Sequence, residues 1–342
     1  MNAFNRILAV LAISASSLTV THSAEPPARP PLAPNAVDTP AAIPPLVKKE
    51  LIRGTHVRLA RPEGFGNGER FTGFQEDKTG ASVVVLEFDG PYSEFAKGMN
   101  AEGLATQNIT LEWRKEIKIG GRAGLLMAGR QDAGEIKFEK WMLIYGDNNR
   151  TFFITANYPA AHSRDLSPRM YSCVLSAEVD ETGGYDPRDP FADLRFRVTP
   201  IAPWRFASRA MDNLIFTQSG SIPKPPNSDQ GMFTVGSSVN ELHLTDRKHF
   251  AEWRMHRSKI AEKLAIKSIQ PIDVDGLSGY EIVGSGTDEG TGTPLCVYQT
   301  VLFESNGGYY GLMIGAISAH KSDQALKEFK SIARTFKQQA IR

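Results

Sequence analysis

The sequence predicts an α+β protein built from two tandem copies of one small antiparallel unit. Three observations predict it: a repeated hydrophobic framework, hairpin signals within each repeat, and an amphipathic stretch that closes each one. Phe95-Ala96 falls on Phe250-Ala251, Ile117 on Ile272, Ile119 on Val274, Gly121 on Gly276 and Gly124 on Gly279, all at an offset of 155. After a short insertion the expected offset is 158, with Leu143 on Val301, Tyr145 on Phe303, Phe152 on Tyr310, Tyr171 on Phe329 and Val174 on Ile332. A chance alignment would not run through strands, turn and helix alike.

The hairpin signal is clearest in the second repeat. Leu295 to Glu304 and Tyr309 to Ile314 are rich in β-branched, apolar and aromatic residues, and Asn306-Gly307 stands between them. Asn-Gly is the favoured two-residue hairpin turn because both central positions need positive φ. Asp147, Asn148 and Asn149 take that turn in the first repeat. Met142 and Ile144 on one face of the leading strand, and Trp141, Leu143 and Tyr145 on the other, predict a sheet covered on both sides.

From Ser322 onward, Leu326, Phe329, Ile332, Ala333 and Phe336 form one helical stripe, with Lys327, Glu328, Lys330 and Arg334 turned away. The corresponding helix is expected to begin at Ser167-Pro168, an N-cap followed by proline at the first helical position, where a missing N–H costs nothing. A second helix is predicted near Ser93 and near Asp246. The latter is expected to reach about Leu264 through Phe250, Trp253, Ile260 and Ala261.

A chain of 342 residues is expected to hold two domains. Residues 1–24 read as a signal peptide: Arg6, an apolar run from Ile7 to about Val20 broken by serines, and small residues at the exit, with cleavage expected after Ser23 or Ala24. That run is shorter than the roughly 20 residues of a spanning helix. No cysteine marks a lipoprotein exit, so a soluble periplasmic or secreted product is expected, with no integral span after signal removal. Residues 25–50, with eight prolines from Pro26 to Pro45, read as an extended tether. The first domain is then expected over 51–180, an acidic Gly/Pro linker over 181–194, and the second domain over 195–340. A formal charge of +1 argues against a nucleic-acid partner, which needs a basic stripe.

The order is a Pro-aromatic entry (Pro62-Glu63-Gly64-Phe65; Pro203-Trp204-Arg205-Phe206), helix, strand with Gly-x-x-Gly, long hairpin and final amphipathic helix. It resembles the PsbP-like superfamily, which includes photosystem II extrinsic subunits, a Ran-binding factor and DcrB-like bacterial envelope proteins. The resemblance covers nearly all of 51–337. It implies two tandem α/β/α sandwiches, each a mainly antiparallel sheet flanked by helices, and a role in binding or supporting other proteins. It supplies no functional motif to carry over.

Only Cys173 and Cys296 occur, too few for a disulfide framework or a cysteine zinc site. In an oxidising compartment they either pair, linking the repeats, or stand as two separate thiols. His249, Glu252 and His256, at i, i+3 and i+7 of the predicted helix, share a flank and form a weak candidate metal site. The competing reading is a polar edge beside Phe250 and Trp253. Asp273, Asp275, Ser278 and Glu281 lack the spacing of a calcium loop and read as a turn. Gly64, Gly66 and Gly68, like Gly284, Gly286 and Gly290, fit neither phosphate-loop nor dinucleotide patterns. No Gly-x-Ser-x-Gly, His-Glu-x-x-His or Cys-x-x-Cys is present, and no cofactor is expected. The expected function is therefore a non-enzymatic interaction or assembly module for an envelope protein partner. The alternative is a hydrolase or small-ligand-binding protein with a site between the two domains.

Overall fold

The computed structural model describes residues 48–339, apart from 134–135, 187, 193, 211, 223–226, 239–243, 259 and 305–307. The expected signal peptide, nearly all of the tether, and the Asn306-Gly307 turn lie outside the described residues. In chain order the first half contains β1 (Lys49–Leu51), β2 (Val57–Ala60), β3 (Gly66–Asn67), β4 (Gly73–Glu76), β5 (Ala81–Asp89), α1 (Tyr92–Lys97) and α2 (Ala101–Ala105). It continues with β6 (Ile109–Ile119), β7 (Arg122–Ala133), β8 (Ile136–Gly146), β9 (Arg150–Pro159), α3 (Ser163–Leu175) and β10 (Glu178–Val179). The second half contains β11 (Phe196–Arg197), β12 (Arg205–Ala210), β13 (Asn213–Thr217), β14 (Met232–Ser237) and α4 (Arg247–Arg257). It ends with β15 (Glu262–Val274), β16 (Leu277–Thr287), β17 (Pro294–Phe303), β18 (Tyr310–Ser318), α5 (Ser322–Ala333) and β19 (Lys337–Gln338). Among the described residues no helix is long and apolar enough to cross a membrane.

The fold is α+β, two tandem α/β/α sandwiches around two seven-stranded antiparallel sheets. The strand orders are β3-β4-β5-β9-β8-β7-β6 and β12-β13-β14-β18-β17-β16-β15, one order run twice. Outside each sheet, the short strand after the closing helix pairs with a strand preceding that sheet, β10 with β2 and β19 with β11. Each sheet separates two apolar layers. In the first sandwich α3 covers Val83, Val85, Leu143, Tyr145 and Ile154, while α1 and α2 cover Leu86, Leu125, Met142 and Ile144. In the second, α5 covers Phe233, Tyr298, Leu302 and Met313, while α4 covers Ile282, Val297, Val301 and Ile314.

Strand pairing sets the correspondence between the halves. Ile117 pairs with Gly124 and Ile272 with Gly279, so the offset of 155 holds across the first hairpin. Its turns match in geometry, with positive φ at Gly120-Gly121 (54° and 81°) and at Asp275-Gly276 (51° and 76°). Beyond this hairpin the expected offset of 158 is corrected. Leu126 pairs with Leu143 and Glu281 with Thr300, so Leu143 corresponds to Thr300, an offset of 157. Tyr145 pairs with Phe152 and Leu302 with Gly311, so Phe152 corresponds to Gly311, an offset of 159. That offset continues into the closing helices, where Leu166, Met170, Cys173 and Val174 match Ala325, Phe329, Ile332 and Ala333, all buried. The physical reason is the period of two along a strand: an offset of 158 would place Leu143, under α3, on Val301, under α4, on opposite faces.

Several helix boundaries also move. Helix α3 begins at Ser163, with Pro168 inside it. The Ser163 hydroxyl donates to Glu139, and Ser167 is no cap: its oxygen accepts from Trp141 Nε1 and Tyr158 OH, both at 3.0 Å. Helix α4 stops at Arg257, where the Ser258 hydroxyl donates to the Met255 carbonyl at 2.8 Å, and Leu264 belongs to β15. Glu328 is buried and accepts from Trp204 Nε1 at 2.7 Å. In the first half the Pro62 to Phe65 entry is a turn, closed by Phe65 N donating to the Pro62 carbonyl at 3.2 Å, and strand begins at Gly66. Structure extends past the expected linker and tether limits: Phe191 and Leu194 pack in the second core, and β1 starts at Lys49.

Side chains are exchanged between sheet and helix at two matched pairs. A Cβ on Gly315 would come within 2.8 Å of the Phe329 ring, and one on Gly311 within 2.9 Å of the Phe336 ring. In the first sandwich those positions hold Ala156 with Met170 and Phe152 with Ala177. Overpacking therefore predicts that Gly315→Ala costs about 1–3 kcal/mol by chemical denaturation. Combined with Phe329→Met, which reproduces the Ala156 and Met170 pairing, the loss should fall short of the sum of the single changes. Cys173 and Cys296 are free and buried, one in each core. Thiol titration of the denatured, unreduced protein should count two.

Candidate functional site

The site where polar groups converge is the junction of the sandwiches, and its floor follows from the alternation of β5. Val83 and Val85 are buried, and Glu87 and Asp89, next along the same face, become progressively more exposed. Glu87 accepts from His56 twice, at its backbone N–H (2.9 Å) and ring Nδ1 (2.7 Å), and forms an ion pair with Arg150, whose Nε lies 3.1 Å away. Arg150 and Arg122 both also reach Glu181. The remaining edge of the His56 ring lies against Gly184, where a Cβ would stand 2.5 Å from Cε1 and where φ is +99°. Only glycine fits that approach.

From the second sandwich, Arg209 on β12 crosses to this floor. Its Nη1 donates to the Ala192 carbonyl at 2.8 Å and the Pro190 carbonyl at 3.3 Å, and its guanidinium lies 5.9 Å from the Tyr185 ring centre. Tyr185 meets Phe206 edge-on, with ring centres 5.9 Å apart. Thr72, Glu87, Asp89, Tyr185 and Arg209 enclose a cavity of about 30 Å³. That is room for a water or two, far below the several hundred Å³ of organic-ligand pockets.

Arg70 makes a second anchor. It forks onto Glu304 through two bonds of 3.0 Å, and its guanidinium lies 3.1 Å from the Tyr309 ring centre. Arg195 Nε donates to the Glu69 carbonyl at 3.1 Å beside it. Asp212, 3.6 Å from Arg209, is pushed up to about 6 by burial, against the opposing pull of Arg209, Arg195 and Arg53.

This arrangement ties the two sandwiches to each other. Among the described residues His56 is the one imidazole on this floor, with Nδ1 on Glu87 and the far edge of its ring against Gly184. The nearby Thr55 hydroxyl donates to the Ile52 carbonyl at 2.9 Å and accepts from Val57 N–H at 3.1 Å. Among the described residues no hydroxyl hydrogen-bonds to the imidazole, as an activated nucleophile would.

The residues singled out from sequence lie elsewhere. His249 and His256 are exposed on α4, and Glu252 sits 3.9 Å from Lys248 Nζ. Among the described residues no group of three or more His, Cys, Asp or Glu side chains is placed to hold a metal ion. Asp275 occupies the β15–β16 turn and accepts from Gln338 N–H at 2.8 Å. Glu281 points under α5, where Tyr298, Lys330 and Arg334 bind it. Sequence reasoning missed the His56–Glu87 pair, whose members are 31 residues apart with no motif between them.

No family model matches the sequence, and no curated protein matches it. Three solved structures that align with parts of it are likenesses only. LpqN, involved in cell envelope biogenesis of Mycobacterium tuberculosis, is 12% identical over 41% of this chain and 81% of its own, with a TM-score of 0.32. Cyanobacterial PsbP (CyanoP) from Synechocystis sp. PCC 6803 is 10% identical over 42% of this chain and 98% of its own, with a TM-score of 0.29. TplEi, a T6SS immunity protein from Pseudomonas aeruginosa, is 12% identical over 80% of this chain and 96% of its own, with a TM-score of 0.30.

Asp212 gives the junction a pH signature. Its carboxyl holds a proton more tightly in the folded chain than in the unfolded one, so ionisation is penalised above about pH 6, and the penalty fades as pH falls toward 4. Asp212→Asn should therefore stabilise the protein at pH 7.5, by up to about 3 kcal/mol. That advantage over wild type should shrink toward pH 4 in parallel denaturation series.

Proposed function

We propose that this chain is an exported, non-enzymatic envelope protein in which two copies of one PsbP-like unit, about 51–180 and 195–340, form a protein-interaction or assembly module. The observation that carries the reading is what the halves share and what they do not. Strand order, cross-strand pairs and buried helix positions recur through both, down to Ile117 with Gly124 and Ile272 with Gly279. The polar groups do not: the Glu87 position, read through the pairing of β5 and β14 with their neighbours, is Ser237 in the second half. A doubled scaffold with divergent surfaces suits recognition of other proteins. A catalytic unit copied whole would have carried its site with it.

The alternative, a hydrolase or small-ligand site between the domains, meets a junction whose charged groups are occupied with one another around a water-sized cavity. The extracytoplasmic placement rests on residues 1–24, where Arg6, the apolar run and the Ser23-Ala24 exit read as an export signal.

Crosslinking in intact cells followed by affinity recovery from envelope extracts tests this. One protein recovered repeatedly and saturably is the expected result. Repeated recovery of nothing, together with turnover of a small substrate by the purified chain, would overturn it.

A further inference from the structure

Helix α4 carries Arg247, Lys248, Arg254 and Arg257 against a single acid, Glu252. In the first sandwich the equivalent helix, α1, holds one Glu and one Lys. Several arginines elsewhere pair with carboxylates: Arg58 with Asp180, Arg61 with Glu50, Arg70 with Glu304, Arg150 with Glu87, Arg169 with Asp165. On α4 the three guanidiniums meet only rings among the described residues. Arg247 lies 5.1 Å from the Phe303 centre and Arg257 5.4 Å from that of Trp253. Arg254 lies 5.8 Å from Trp253 and 5.9 Å from Tyr310.

Arg254 is the decisive residue. It is 2% exposed, and its Nε and Nη2 have no acceptor among the described residues. A buried charge without a counter-ion is strongly disfavoured, and an anion brought over the helix would relieve it. The groups beside it that reach solvent could receive one: Arg247, part-exposed a heptad before Arg254, and exposed Arg257, one turn beyond half-exposed Trp253.

We propose that α4 is the docking face for an acidic protein segment, whose carboxylates pair with Arg247 and Arg257 around Trp253 and neutralise the buried charge of Arg254. This rests on the interaction-module reading and names its partner class. Guanidinium forks match carboxylates in bidentate geometry. A membrane surface is the poorer occupant, because the apolar residues of α4, Phe250, Ala251 and Met255, are already buried in the core and Trp253 is left alone to enter lipid.

The test uses the purified chain and a fluorescent twelve-residue Glu/Gly/Ser peptide, with the same peptide carrying Gln for Glu as control, read by anisotropy. The Glu peptide should bind at least tenfold more tightly than the Gln peptide, and more weakly as NaCl rises. Arg247→Glu with Arg257→Glu, two surface changes, should abolish the difference. Arg254→Met should leave the thermal midpoint unchanged or raise it and still weaken peptide binding, an outcome a purely structural arginine would not give. Equal binding of the two peptides, or binding to phosphatidylglycerol vesicles without binding to the Glu peptide, would overturn the proposal. Running the double variant through the envelope recovery separates the two readings. If the same protein is recovered with and without the arginines, α4 is not its dock and the module reading stands; if nothing is recovered with either, the module reading is the one that fails.

Discussion

Each sheet is clamped between helices on both faces, so every strand residue must remain on the face where it began. Along a strand that means parity, since moving a side chain by one position carries it through the sheet. The two halves keep this rule while differing in length. Their correspondence shifts from 155 to 157 at one hairpin tip and from 157 to 159 at the next, two residues each time. A single-residue change at the first tip would have faced Leu143 and Tyr145 toward α1 and α2 and left Met142 and Ile144 under α3, and at the second it would have turned Phe152 and Ile154 away from α3. The hairpin ends are where length can vary because only there does an added pair of residues leave both cores intact.

Parity fixes direction but not size, and there the halves have moved in opposite ways. The second sheet has glycine at 311 and 315, and the closing segment answers with Phe336 and Phe329. The first sheet has Phe152 and Ala156, answered by Ala177 and Met170. Close packing requires the layer between sheet and helix to be filled, and it does not matter from which side the atoms come. Phe329 then becomes the centre of an aromatic cluster, its ring centre 5.2 Å from that of Phe233, 4.9 Å from Trp204 and 5.9 Å from Tyr298, where the first sandwich has Met170.

The same two facts explain what the residues alone disclose. The repeat, the covered sheets and the Gly120-Gly121 and Asp275-Gly276 turns are legible because they depend on local pattern and on φ. The register past the second hairpin is not, because β8 and β17 are apolar on both faces and their pattern carries no parity signal. Ser167-Pro168 has the form of a helix start, yet the Ser167 hydroxyl is claimed by Trp141 and Tyr158 across the layer. Glu328 follows the solvent-facing stripe and is nevertheless buried, because Trp204 needs an acceptor. The junction was invisible for a simpler reason: His56, Glu87, Gly184 and Arg209 come together only after both sandwiches have formed.

What joins the halves differs in kind from what builds them. Each sandwich is held by apolar layers, whereas the joint relies on directional contacts such as Arg70 gripping Glu304 with both arms while lying on Tyr309. An apolar patch tolerates sliding, but a two-pronged guanidinium–carboxylate contact does not, so a few such groups set one sandwich on the other without a large shared core. The joint spends its charges internally, whereas Arg247, Arg254 and Arg257 on the outer helix of the second sandwich meet rings among the described residues. The equivalent helix of the first sandwich, α1, carries one Glu and one Lys, so two sandwiches of one strand order present different charge at the same place in the fold.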